Sequence, residues 1–226
     1  MTHVYLIRHA ETARPDLFHG FESDIDLGAR GYRQAAALGP VVAALKPDIV
    51  VSSGMLRACR TAEAISRASG LPVRVEPTLH ERKVGDMQGT PIQGEFGVWP
   101  DTLARWVAGD TGYAPPGMES FDQIRDRVLP VWDRITRENP GKTLAIVAHG
   151  IVTRVILLSV VEGYNAADWP RLGRIPNASI SEVTETGWAT RAWRLMRVGL
   201  VPDEVRRANE SAETGPRPRH GDPAAR

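Results

Sequence analysis

Arg8 and His9 follow directly on an apolar run, Val4-Tyr5-Leu6-Ile7, and open a polar cluster that continues through Ala10, Glu11 and Thr12. The run reads as a short buried strand, and packing alone gives a strand no reason to carry such a cluster. In an α/β sheet, ligands bind just beyond the carboxyl ends of the strands. An arginine and a histidine there suit an anion and a nucleophile. Three later stretches supply matching parts. Pro47-Asp48-Ile49-Val50-Val51-Ser52-Ser53 is a turn and a second apolar strand, with Arg57 just past its exit. Thr143-Leu144-Ala145-Ile146-Val147-Ala148 is the most strand-like run of all and delivers His149-Gly150. Leu79-His80-Glu81 opens a charged loop through Gly85 and Gly89 and offers a carboxylate. One histidine after an apolar run is ordinarily a core residue satisfied by the backbone. Two histidines and two arginines at strand exits, with a glutamate loop besides, are hard to attribute to packing.

These groups suit covalent transfer of a phosphoryl group through histidine. A neutral imidazole is nucleophilic, and a phosphorus ringed by oxyanions must have its charge screened before attack. Arginine does this with a planar donor fork matched to phosphate oxygens. Two arginines and a second histidine would hold the equatorial oxygens as charge builds. The leaving alkoxide needs a proton, a role that suits Glu81 if burial or the phosphate's charge holds the proton on it. Hydrolysis would reuse the same carboxylate to activate water. No His/Asp/Glu spacing resembles a metal site, so neither metal nor cofactor is expected.

The elements that must position these residues alternate strand with helix, which predicts an α/β fold with a largely parallel sheet covered on both faces. Apolar residues recur at helical spacing over Arg30–Leu45 and over Glu119–Glu138, where Ser120 can cap. Pro40 and Pro130 predict a kink or a junction in each. A further helix runs from Gly54 to about Ala68, and a buried one from Ile151 to Val161. Ser179–Thr184 and Ala189–Met196 read as antiparallel strands about a Glu185-Thr186-Gly187 turn. Ala13–Gly28 reads as a long loop near the site, whose Arg14 and His19 are within reach of a substrate. Residues 90–117 read as an insertion lidding the site through Phe96, Trp99 and Trp106, or equally as a packed surface subdomain. The whole is expected to be a single domain over residues 1–200, with a disordered tail over 203–226 that is rich in Arg, Glu, Pro and Gly.

Composition narrows the partners. Lys+Arg 28 against Asp+Glu 27 leaves a net charge of +1 and no basic block in the body of the chain, so nothing favours nucleic acid. An anionic small substrate would have to be held by local arginines. The single Cys59 excludes an internal disulfide and suits a reducing compartment. No apolar run approaches the roughly 20 residues of a membrane helix, and no leader is evident, so a cytoplasmic protein without membrane contact is expected. Oligomeric state is not legible.

Leu6-Ile7-Arg8-His9-Ala10-Glu11-Thr12 resembles the signature of the histidine phosphatase superfamily, also called phosphoglycerate-mutase-like. Ser52-Ser53-Gly54-Met55-Leu56-Arg57-Ala58-Cys59-Arg60-Thr61-Ala62 is similar to the family's second-arginine motif, and Leu79-His80-Glu81 to its proton-donor loop. Pro116-Gly117-Met118-Glu119-Ser120 with Arg127 resembles its pre-helix motif, and Ala148-His149-Gly150 its second catalytic histidine. The resemblance implies a three-layer αβα sandwich, phosphorylation of His9, proton donation by Glu81 and a phosphate pocket of Arg8, Arg57 and His149, with Thr12 and Gly150 beside them. Two positions depart from the pattern: Ala10 stands where the family usually has Gly, and Pro15 where it often has Asn. Pro15 removes one substrate contact, to be supplied elsewhere. The resemblance implies a metal-independent phosphomonoesterase. The alternatives are a phosphoglycerate mutase, whose Glu-Arg-His-Tyr-Gly stretch Glu81-Arg82-Lys83-Val84-Gly85 matches in part, and an idle phosphate-binding protein.

Overall fold

The structure, a computed structural model, describes residues 1–92, 97–187 and 192–210. Six strands, β1 (His3–Arg8), β2 (Ile49–Ser53), β3 (Val73–Glu76), β4 (Thr143–Ala148), β5 (Ile180–Glu185) and β6 (Trp193–Leu200), form one sheet in the order β3-β2-β4-β1-β5-β6. The first four are mutually parallel, β5 pairs antiparallel with β1, and β6 antiparallel with β5. Only β5 therefore runs against the rest.

Side chains alternate across the sheet with the two-residue strand period. Val4 and Leu6 of β1, with Leu144, Ile146 and Ala148 of β4, enter one apolar layer; Ile7, Ala145 and Val147 enter the other. The second layer is closed by α1 (Ala29–Ala44) and α2 (Leu56–Ser69). The first is closed by α3 (Val98–Val107), α4 (Phe121–Glu138) and α5 (Gly150–Val160). This is the expected three-layer αβα arrangement. In α4 the stripe Phe121, Ile124, Val128, Val131, Trp132 and Ile135 is buried. Its start is fixed by a reciprocal cap: Gln123 N–H donates to Ser120 Oγ at 3.1 Å and Ser120 N–H to Gln123 Oε1 at 2.9 Å. Gly31 of α1 lies so close to the first motif that a Cβ there would come within 1.9 Å of the Glu11 carbonyl oxygen.

Several sequence expectations are corrected. α1 and α4 run unbroken through Pro40 and Pro130, so neither proline is a junction between two helices. In each helix the apolar stripe continues in register on both sides of the proline, so burial against the sheet offsets the lost backbone bond. The second strand of the terminal pair starts at Trp193 and reaches Leu200, later than expected; Ala189 lies outside the described residues. Residues 203–210 are no disordered tail. Asp203–Glu210 forms α6, which lays a fully buried Val205 into the layer closed by α1 and α2. Asn209 Oδ1 accepts from Arg30 Nε and Gln34 Nε2 of α1. One buried residue in an otherwise charged segment is too little periodicity to read as a helix before its partner surface is known. Residues 211–226 lie outside the described residues. Among those described, no helix is long and apolar enough to cross a membrane.

Val205→Asp would bury an unpaired carboxylate and is expected to lower the unfolding free energy by about 2–4 kcal/mol, read as a drop in the urea midpoint. An unchanged midpoint would detach α6 from the folded unit.

Candidate active site

Parallel pairing of β1 with β4 sets Arg8 opposite Ala148. The next residues, His9 and His149, therefore leave adjacent strand ends at the same level. His9 N–H donates to the Ala148 carbonyl at 3.0 Å, and the two imidazole centres are 5.2 Å apart. β2 ends one strand further along, and the first turn of α2 returns Arg57 to the same edge. Beyond β3, a 3₁₀ turn (Pro77–Leu79) leads into the loop that carries Glu81.

His9 Nδ1 lies 2.7 Å from the Ala10 carbonyl oxygen. A carbonyl only accepts, so Nδ1 carries the proton and Nε2 keeps the lone pair. Burial, with Arg57 and Arg8 adding to it, holds this imidazole well below its ordinary pKa. Burial, Arg57 and His9 do the same for His149. Both rings are thus neutral near pH 7. His149 is fully buried, with Nε2 2.8 Å from Ser53 Oγ and Nδ1 buried without a partner.

The arginines are held by carbonyl oxygens instead of carboxylates. Arg8 Nη1 donates to the Ile175 carbonyl at 2.7 Å, while its buried Nε has no partner. Arg57 Nη1 donates to the Ser23 carbonyl at 2.8 Å and Nη2 to that of Gly20 at 3.2 Å; burial lowers its pKa to about 10. Carbonyls orient a guanidinium without cancelling its charge, so the site keeps a positive field for an anion. Glu81 is the only carboxylate among the described lining residues. Its Oε1 accepts from Arg82 N–H at 2.9 Å and its Oε2 from Ile151 N–H, at the start of α5, at 3.3 Å. Gly150 is held against Arg8: a Cβ there would lie 3.3 Å from Arg8 Nε.

A cavity of about 490 Å³ opens at this edge, lined by Arg8, His9, Thr12, Arg57, Glu81 and Gly150 among others. His149 does not line it and lies behind His9. Of the two loop residues considered from sequence, Arg14 is exposed, paired with Asp16 and absent from the lining. His19 lines the cavity, but its ring is spent on the Arg14 carbonyl and Ser23 Oγ. Trp99 lines it too, whereas Trp106 is a core residue whose Nε1 donates to the Tyr113 carbonyl at 2.8 Å. Phe96 lies outside the described residues. The sequence reading missed Arg82, Arg154, Arg174 and Asn177, all in the lining. Arg154 had a legible signal, since four residues after Gly150 on one helix is the same face. Asn177 donates its amide to the His9 carbonyl at 3.0 Å, a contact made across 168 residues and invisible to spacing.

The arrangement can place a nucleophilic nitrogen, a positive cradle and a carboxylate around one phosphoryl group. Comparison with known proteins bears on the family. The family model of the histidine phosphatase superfamily, branch 1, matches residues 4–199. An uncharacterized phosphatase of Bacillus subtilis, PhoE, is 32% identical over 86% of this chain and 93% of its own. A probable phosphoglycerate mutase of Salmonella paratyphi C is 30% identical over 89% and 94%. The solved structure of a mycobacterial glucosyl-3-phosphoglycerate phosphatase matches with a TM-score of 0.78 at 27% identity, covering 88% of this chain and 99% of that one. The chain belongs to the histidine phosphatase superfamily.

The two neutral imidazoles carry a stability consequence. Their pKa values lie below the unfolded value of 6.5. As pH falls through that value, the unfolded chain takes up protons that the folded chain refuses, so stability falls. Each histidine contributes up to about 1.4 kcal/mol per pH unit below about pH 6.5. Urea titrations between about pH 7.5 and 5 should show that loss, and a flat profile would mean that the rings are already charged in the folded chain.

Proposed function

We propose that this histidine phosphatase hydrolyses a phosphomonoester through a phosphohistidine formed on His9. The observation that carries the reading is the His9 tautomer: Nδ1 is committed to the Ala10 carbonyl, which leaves the Nε2 lone pair as the nucleophile. Nε2 attacks phosphorus as the bond to the leaving oxygen breaks, and Glu81 gives that oxygen its proton. Water then attacks the phosphohistidine, Glu81 takes the water's proton, and phosphate leaves with His9 Nε2 regenerated. Arg8 through its unpartnered Nε, and Arg57, hold the non-bridging oxygens, while His149, outside the cavity lining, backs His9 at a ring-centre distance of 5.2 Å. Thr12 and the Gly150 end of α5 complete the cradle, where the helix terminus favours negative charge.

The phosphatase reading is supported by the relatives named as phosphatases, while the Salmonella relative supports a mutase as the second reading. A mutase uses the same groups but returns the phosphoryl to bound product before water reaches it. Interconversion of phosphoglycerates without phosphate release would favour the mutase.

Phosphate release measured in excess chelator should survive in the wild type and vanish in His9→Ala; activity retained in that variant would remove the covalent route. Glu81→Gln should slow alkyl phosphates by about 10²–10⁴-fold and p-nitrophenyl phosphate far less, because nitrophenolate leaves without a proton. Equal losses on both esters would deny Glu81 the donor role.

A further inference from the structure

The cavity beside His9 is larger than a phosphoryl group requires. Its volume of about 490 Å³ falls in the range of pockets that enclose whole ligands, roughly 300–1,000 Å³. Beyond the polar groups already described, Leu17, Phe18, Ile92, Trp99, Leu103 and Trp169 line it. Trp99 and Trp169 meet edge to face with ring centres 6.0 Å apart. Ile92 lines the cavity while 55% exposed, an apolar surface that a ligand body would cover.

Among the described lining residues, the uncharged hydrogen-bonding side chains besides His9 are Thr12, His19, Asn177 and the indoles of Trp99 and Trp169. His19 has both ring nitrogens committed, and Asn177 spends its amide nitrogen on the His9 carbonyl. Glu81, whose oxygens also accept backbone N–H groups, is reserved for the leaving oxygen itself. Arg154 donates to the carbonyls of Trp169 and Gly173, and the Arg82 guanidinium lies over the Trp99 ring at 4.0 Å with its buried Nη1 unpartnered.

We infer that this site takes phosphomonoesters whose leaving group is an apolar, ring-bearing alcohol packed against Trp99, in preference to a polyol or sugar. The inference rests on the phosphomonoesterase reading above and names its substrate class. It is tested without the chemistry, by calorimetric binding of phosphonates that cannot be hydrolysed: benzylphosphonate, 2,3-dihydroxypropylphosphonate and 2-carboxyethylphosphonate. Wild type should bind the benzyl compound at least about tenfold more tightly than the dihydroxypropyl one, a difference of about 1.4 kcal/mol. That ratio should shrink in both Trp99→Ala and Ile92→Asn, the second at an exposed position where folding is not at stake. Equal or tighter binding of the dihydroxypropyl compound overturns the inference. So does tightest binding of the carboxyethyl compound, which would assign Arg82 and Arg174 to a second anion. A benzyl preference retained in both variants overturns the role of this wall. Failure of the His9-dependent phosphate release is a separate result, and it would remove the catalytic reading while leaving the affinity ratio to judge the cavity.

Discussion

The parallel hydrogen bonding of β1 to β4 is the constraint on which the site depends. With Arg8 level with Ala148, the chain brings His9 and His149 out side by side, and the His9 amide closes the ladder onto the Ala148 carbonyl. A one-residue slip would turn every side chain of β1 to the opposite layer. Val4 and Leu6 would exchange places with Tyr5 and Ile7, and the core would forbid it. The register of the apolar residues and the spacing of the two histidines are therefore one constraint. Packing energy from two layers holds the proposed catalytic geometry, which contributes little stability of its own.

A second requirement follows from charge. Buried arginines ordinarily find carboxylates, and a site with matched pairs would have no field left for a phosphate. Here Arg8, Arg57 and Arg154 are oriented by backbone carbonyls. Several of those carbonyls lie outside the sheet, in the loop over 20–23 and in the 3₁₀ helix Ala166–Leu172 and the loop that follows it to Ile175. The loops thus do what a strand cannot, since the carbonyls of a central strand are used within the sheet. Burial first, and the same field after it, keep both histidines neutral. The loop over residues 13–28 is itself tied down by acids directed away from the cavity: Glu22 accepts the Val84 and Gly85 N–H groups, and Asp24 the Leu56 N–H at the start of α2.

Substrate preference is separable from this machinery. The phosphoryl end is built at strand ends and the first turns of α2 and α5. The remaining wall comes from the segment before α1, from α3 and from the segment before β5. A change in those segments would leave the β1–β4 register undisturbed, so the wall can vary while the phosphoryl end stays fixed.

The sequence by itself determined the strands, the helical stripes and the motif order, because two-residue and 3.6-residue periodicities are local properties. It also placed Arg8, His9, Arg57, Glu81 and His149 close to element ends, where an α/β sheet collects its functional residues. What only the tertiary structure decided were contacts whose partners lie far apart in the chain. Asn177 on the His9 carbonyl, the carbonyl cradle of Arg57 and the burial of Val205 are all of this kind. So are the opposite fates of two neighbouring tryptophans, Trp99 in the cavity wall and Trp106 in the core. Composition treats those two alike; the side of α3 that meets the first layer separates them, and that side exists only once the sheet has formed.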